Sequence, residues 1–223
     1  MLPHDVLAWL TILGSGNCFA SIYQMSWVSA KAVQTMFHKF CKHFPRELYD
    51  EHIYLSSEQN GELDHVMEQY DRLGFSGAMG SMDVTHTGIE GVPTIGYQVT
   101  TNDKTIVCWD AAVEKIRTDK QCTEKTFDMY NEDGTTTTLK GCYLLVDNGE
   151  WKILMEPTKY PLSENDILFS KRMESVRKDV ECFFGILKGR SRILVSPWRT
   201  TSRSASTVKK AVYPLDYLVA ATK

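Results

Sequence analysis

Three carboxylates in this sequence stand where they could do chemistry. Asp83 follows a run of small residues that turns strand-like, GFSGAMGSMDVTH (74–86). Asp147 ends the compact apolar run CYLLVD (142–147). Glu181 lies at the edge of the apolar stripe of a long helical segment, beside Val180 and one turn from Arg177. Two acids at strand ends and one on a helix can converge on one spot. Oxygen-only donors of this kind suit Mg²⁺ or Mn²⁺, which keep several waters and also bind phosphates. A pair of such ions can activate a water and stabilise the leaving oxygen of a phosphodiester. Three crowded acids repel one another, so a divalent cation is favoured at neutral pH.

Each acid also has a plain structural reading. Asp83, followed by Thr85, can cap a turn. Asp147 precedes Asn148-Gly149, and VDNGEW is a two-residue hairpin signal between LLV and KILM; periodicity alone favours the hairpin. Glu181 can pair with Arg177 or Lys178 on a helix surface.

The elements that must position these acids follow from the pattern of apolar residues. Residues 1–70 read as helical: HDVLAWLTIL stops at the turn cluster Gly14-Ser15-Gly16-Asn17, and CFASIYQM is a second short segment. Ser29 can cap a third helix, with Val33, Met36, Phe37, Phe40 and Phe44 along one side and His38 and His43 on the solvated side. The outline is that of a helix-turn-helix, or equally of a plain helical buttress. ELDHVMEQY (62–70) is one more amphipathic helix, GVPTIGYQVTT reads as a strand, and NDKTIVCWDAAVEKI (102–116) reads as a helix. The EDGTTTT run marks a loop or hairpin tip, and CYLLVD and WKILMEP read as strands. Residues 164–192 form a long helix with the stripe Met173, Val176, Val180, Phe183, Phe184 and Leu187. Beyond Pro197 the chain becomes rich in Ser, Thr and Arg. Helices, strands, a helix, strands and a long helix in that order give an α/β fold, a sheet with flanking helices.

The chain of 223 residues is 43% hydrophobic and 24% charged, as expected of one globular core with a helical appendage. The net charge of −3 hides an asymmetry: from Lys171 onward there are 12 basic and 4 acidic residues, against 13 and 24 before it. Lys171, Arg172, Lys178, Lys188, Arg190 and Arg192 are therefore candidates for phosphate contact. The six cysteines are widely spaced, without a CxxC or Cys/His pairing, so zinc is not expected and reduced, mostly buried thiols are. No apolar run reaches the length of a membrane span, and the opening residues lack the basic segment and cleavage site of a signal peptide.

GFSGAMGSMDVTH resembles the first acidic motif of PIF/Harbinger transposases, CYLLVDNG their second, and ESVRKDVECFFGILKGR (174–190) their third, in which a helix carries the glutamate. PTIGYQVT, NDKTI and EPTKYP also resemble the plant- and protist-type branch of that family. The resemblance runs from about residue 5 to about residue 195. It implies an RNase H-like mixed sheet with the first aspartate on its central strand, and Asp83, Asp147 and Glu181 as a metal-binding DDE triad. It further implies Mg²⁺- or Mn²⁺-dependent cutting and strand transfer of DNA, a nuclear location, a Myb/SANT-like DNA-binding partner and no membrane association. The implied organisation is a helix-turn-helix-like region (1–70), a nuclease domain (71–195) and a basic tail (196–223).

The sequence also departs from the family pattern. YQVT joins TNDKTI directly, so one strand of the sheet is expected to be missing, with PTIGYQVT left along an open edge. Glu150 stands where the second motif usually has tyrosine, and the C-terminal His-Asn helix is not found. These departures predict a weak or inactive nuclease. The alternatives are a DNA-binding or protein-interaction remnant that has kept the helical N-terminus, and a non-functional product with a marginal fold.

Overall fold

A computed structural model of the chain describes residues 3–26, 28–52, 61–87, 95–102, 105–108, 112–131, 133–148 and 152–195. Its contacts divide the chain into two units. The first comprises Met1–Ile53, Thr85–Gly96 and Phe184–Lys223, and the second Tyr54–Val84 and Tyr97–Phe183. The Ser/Thr/Arg-rich tail expected over 196–223 lies outside the described residues.

The first unit is built on α1 (Pro3–Ser15), α2 (Phe19–Ser26) and α3 (Ala30–His52). Ser29 caps α3 as its position predicts: its Oγ accepts from the Ala32 amide at 3.2 Å. The core is apolar at helical spacing, with Trp9, Ile12, Leu13, Ile22, Val33, Phe37 and Cys41 all buried. Trp9 stacks on Phe40 with ring centroids 4.8 Å apart. A 3-10 turn at Arg192–Leu194 packs on α1 and buries Leu194. His38, expected on the solvated side, is half-buried instead, its ring 6.1 Å from that of Phe19. The close junction of α2 and α3 brings the two rings together.

The second unit is a five-stranded sheet and the helices that cover it. In chain order it contains all or most of α4 (Glu62–Arg72), β1 (Ala78–Thr87), β2 (Ile95–Asn102), β3 (Thr105–Cys108), α5 (Ala112–Thr118), α6 (Lys120–Glu124), β4 (Thr126–Tyr130), β5 (Thr136–Lys140), β6 (Tyr143–Leu145), β7 (Leu154–Met155) and α7 (Glu164–Arg190). The boundary between the units falls within β1, β2 and α7. The sheet order is β3-β2-β1-β6-β7, which makes β1 the central strand. The expected hairpin tip is present: β4 and β5 pair antiparallel, and Gly134 turns the chain with φ 80°.

Two expectations are corrected here. Residues 102–116 are not one helix. Thr105–Cys108 is a strand, antiparallel to β2 with Asn102 opposite Thr105 and Thr101 opposite Ile106, and the helix starts only at Ala112. The run TIVC is β-branched, and the open side of β2 gives its backbone a partner. The same strand removes the expected gap in the sheet, because β3 covers the edge of β2.

The second correction concerns Asp147. β6 and β7 are parallel, with Leu144 opposite Leu154 and Leu145 opposite Met155, so VDNGEW does not close a two-residue hairpin. A two-residue hairpin would make them antiparallel.

The segment Cys142–Val146, which contains β6, is buried on both faces. Along β6, Cys142, Leu144 and Val146 join Leu63, Met67, Met79, Met82 and Ile116 in one cluster. Tyr143 and Leu145 join Val66, Tyr70, Phe75, Ala78, Met173 and Val176 in the other. The alternation is that of a strand covered on both sides.

Candidate metal and DNA-processing site

Strand register carries the two aspartates to one level. β1 and β6 are parallel neighbours, with Ser81 opposite Leu145. Asp83 and Asp147 each lie two residues further along. The side chains of Tyr143 and Leu145 point to the face that Met173 and Val176 of α7 cover, so alternation sends Asp147 to that face too.

On β1 the same outcome depends on an irregularity. Ala78 belongs to the α7 face, while Met79 and Met82 belong to the opposite one. A register shift between Ala78 and Gly80 reconciles these, and it leaves Ser81 and Asp83 on the α7 side. Ser81 marks that side, since its hydroxyl shares a hydrogen bond of 3.1 Å with Tyr70, a member of the same cluster. Gly77, with φ 87°, leads into the strand; a Cβ there would clash with the edge of the Phe127 ring.

The helix contributes the rest. Its N-terminus is a reciprocal cap: Ser163 Oγ accepts from the Asp166 amide at 3.1 Å, and Asp166 Oδ2 accepts from the Leu162 and Ser163 amides at 2.9 and 3.0 Å. The predicted stripe is buried at Met173, Val176, Val180, Phe184 and Leu187 and half-buried at Phe183. Arg177 is buried with it, only 2% exposed.

Arg177 is the site residue that spacing alone did not single out. Its guanidinium lies between the two aspartates: Nη1 pairs with Asp147 Oδ1, and Nη2 is 3.8 Å from Asp83 Oδ1. Nη2 also approaches the Met82 carbonyl at 3.5 Å. Burial pushes the Arg177 pKa down, while the charges of Asp83 and Glu181 oppose that shift. The available signal was its place one residue after Val176 and three before Val180, inside the width of the apolar stripe.

The structure thus brings Asp83 and Asp147 together on one guanidinium. Glu181, exposed, stands one helical turn beyond Arg177 and within its electrostatic reach. Among the described residues, no three His, Cys, Asp or Glu side chains are grouped closely enough to hold an ion together. The donor chemistry fits a hard divalent cation, and the positive charge at its centre is that of Arg177.

The basic candidates divide between the units. Lys171, Arg172 and Lys178 are exposed on the part of α7 in the second unit, where Arg172 Nε donates to the Leu73 carbonyl at 3.1 Å. In the first unit Lys188 and Arg190 are half-buried and Arg192 is exposed. Cys41, Cys122 and Cys142 are buried free thiols, and Cys18 and Cys182 are exposed free thiols. Among the described residues no helix is long and apolar enough to cross a membrane.

Comparison with known families adds one finding to this geometry. Residues 122–213 match the family described as Plant transposon protein. The matched stretch contains Asp147, Arg177 and Glu181, and begins beyond Asp83. This similarity supports a transposon-derived protein. No curated protein matches the chain, and no solved structure does.

Proposed function

We propose that the chain is a metal-dependent DNA endonuclease derived from a PIF/Harbinger-type DDE transposase, with an RNase H-like second unit. The observation that carries this reading is the placement of Asp83 and Asp147. They stand at one level on neighbouring parallel strands, on the face covered by the helix that bears Glu181. A central β1 carrying Asp83 agrees with the sheet that the sequence resemblance implies. One ground for expecting inactivity, an open edge along β2, is removed by β3, while Glu150 and the lack of a C-terminal His-Asn helix still depart from the family pattern.

In this reading Asp83, Asp147 and Glu181 hold Mg²⁺ or Mn²⁺. The ion, when bound, supplies Lewis acidity toward a phosphodiester and lowers the pKa of bound water. The chain itself supplies the carboxylates, sets their spacing through strand register and anchors the helix through its stripe. Exposed Lys171, Arg172 and Lys178 offer phosphate contacts, as does Arg192. Nuclear location and a Myb/SANT-like partner belong to the same proposal.

The test is a nicking assay on supercoiled DNA with Mg²⁺ or Mn²⁺, comparing the chain with Asp83→Ala and Glu181→Ala. Nicking that both substitutions abolish is expected. Salt-dependent DNA binding without nicking would place the protein among non-catalytic DNA-binding remnants.

A further inference from the structure

We infer that Arg177 is a positioning residue that acts as the internal counter-cation of the acid centre, and that a divalent ion must compete with it for Asp83 and Asp147. This rests on the metal-binding reading above. Arg177 is almost fully buried, yet its two terminal nitrogens face two carboxylates on different strands. Its Nε is buried and has no hydrogen-bond partner among the described residues. A buried guanidinium needs opposite charge close by, and the two carboxylates supply it. It shares its helix with Glu181, one turn away, so the whole triad lies around one fixed positive charge.

The two contacts are unequal. Asp83 is 23% exposed and lies 3.8 Å from Nη2, whereas Asp147, paired with Nη1, is 63% exposed. Asp147 is thus the acid that can turn from the guanidinium toward a hydrated ion. Asp83 is held from the sheet side, beside the Met82 carbonyl that Nη2 also approaches. Without a metal, Arg177 keeps the two aspartates from repelling each other apart; with one, its charge opposes the incoming cation.

The experiment is Mn²⁺ titration by calorimetry on the full chain, with thermal unfolding of each metal-free variant. Arg177→Met keeps the length and apolar stem but removes the charge. It should bind Mn²⁺ roughly tenfold more tightly than the native chain, with a lower metal-free melting temperature. Arg177→Lys keeps a competing positive charge and should stay near native affinity, a split that a purely structural role does not produce. Asp147→Asn should lower metal-free stability less in the Arg177→Met background than in the native one. Equal or weaker Mn²⁺ binding by Arg177→Met, beside measurable native binding, would overturn the counter-cation role and leave the metal reading standing. Should Arg177→Met fail to fold, Arg177→Gln takes its place under the same criteria. Absence of Mn²⁺ binding by the native chain and both charge-removing variants would overturn both proposals.

Discussion

Nη2 of Arg177 lies 3.8 Å from Oδ1 of Asp83, joining helix α7 to the central strand β1, which is far from it in sequence. The guanidinium is shielded from solvent, while the carboxylate is partly open to it. The same cation reaches Asp147 on the neighbouring strand, so one buried side chain links the three segments that carry the acids.

The unequal exposure of the two aspartates predicts unequal costs. Asp83→Asn should destabilise the metal-free protein by about 1–3 kcal/mol, because it weakens the partnership of a buried guanidinium. Asp147→Asn should cost less than about 1 kcal/mol, since its carboxylate is mostly in water and already screened. Urea unfolding of the two variants measures the difference; a larger loss for Asp147→Asn would contradict the arrangement.

Gly77 sets the entry to β1. Its φ of 87° and the Phe127 ring leave no room for a methyl group. Gly77→Ala should lower stability by about 2–4 kcal/mol, through backbone strain together with displacement of the ring. Gly134→Ala shares only the positive φ, with open space around the added Cβ, and should cost less. Thermal melts of both variants separate the steric contribution from the backbone one.

DNA affinity, where present, should be dominated by charge. Lys171 and Lys178 lie two turns apart and exposed on α7. Replacing each with alanine should weaken binding about equally for all DNA sequences. It should also lower the salt slope by about 1 for every phosphate the protein no longer neutralises. Fluorescence anisotropy at several salt concentrations reads the slope; affinity indifferent to salt would exclude this mode of binding.

Cys41 gives the first unit an alkaline limit. Burial pushes its thiol from the ordinary 9.0 up to about 12. The folded state keeps the proton where the unfolded chain loses it, so this contribution to stability is present below pH 9.0 and falls as pH rises toward about 12. Cys41→Ala should therefore show a shallower loss of stability over that interval. Equal slopes for the two proteins, followed by circular dichroism, would remove Cys41 from the account.

The sequence by itself determined the features whose causes are local. The apolar stripe of α7, the Ser29 cap, the turn at the β4–β5 tip and the buried run Cys142–Val146 all follow from residue spacing or turn chemistry within a few positions. Tertiary structure decided what depends on distant partners. Thr105–Cys108 became a strand because β2 offered it unpaired backbone groups, and four residues are too few for periodicity to distinguish strand from helix. β7 joined β6 in parallel despite a local hairpin signal, since register and the burial of β6 on both faces outweigh turn propensity. The register shift after Ala78 chose the face on which Asp83 emerges, and no single residue announces such a shift. Arg177 went inside for the same kind of reason: a guanidinium is drawn out of water only where carboxylates from other segments wait to receive it, and those arrive through strand pairing rather than through the helix's own sequence.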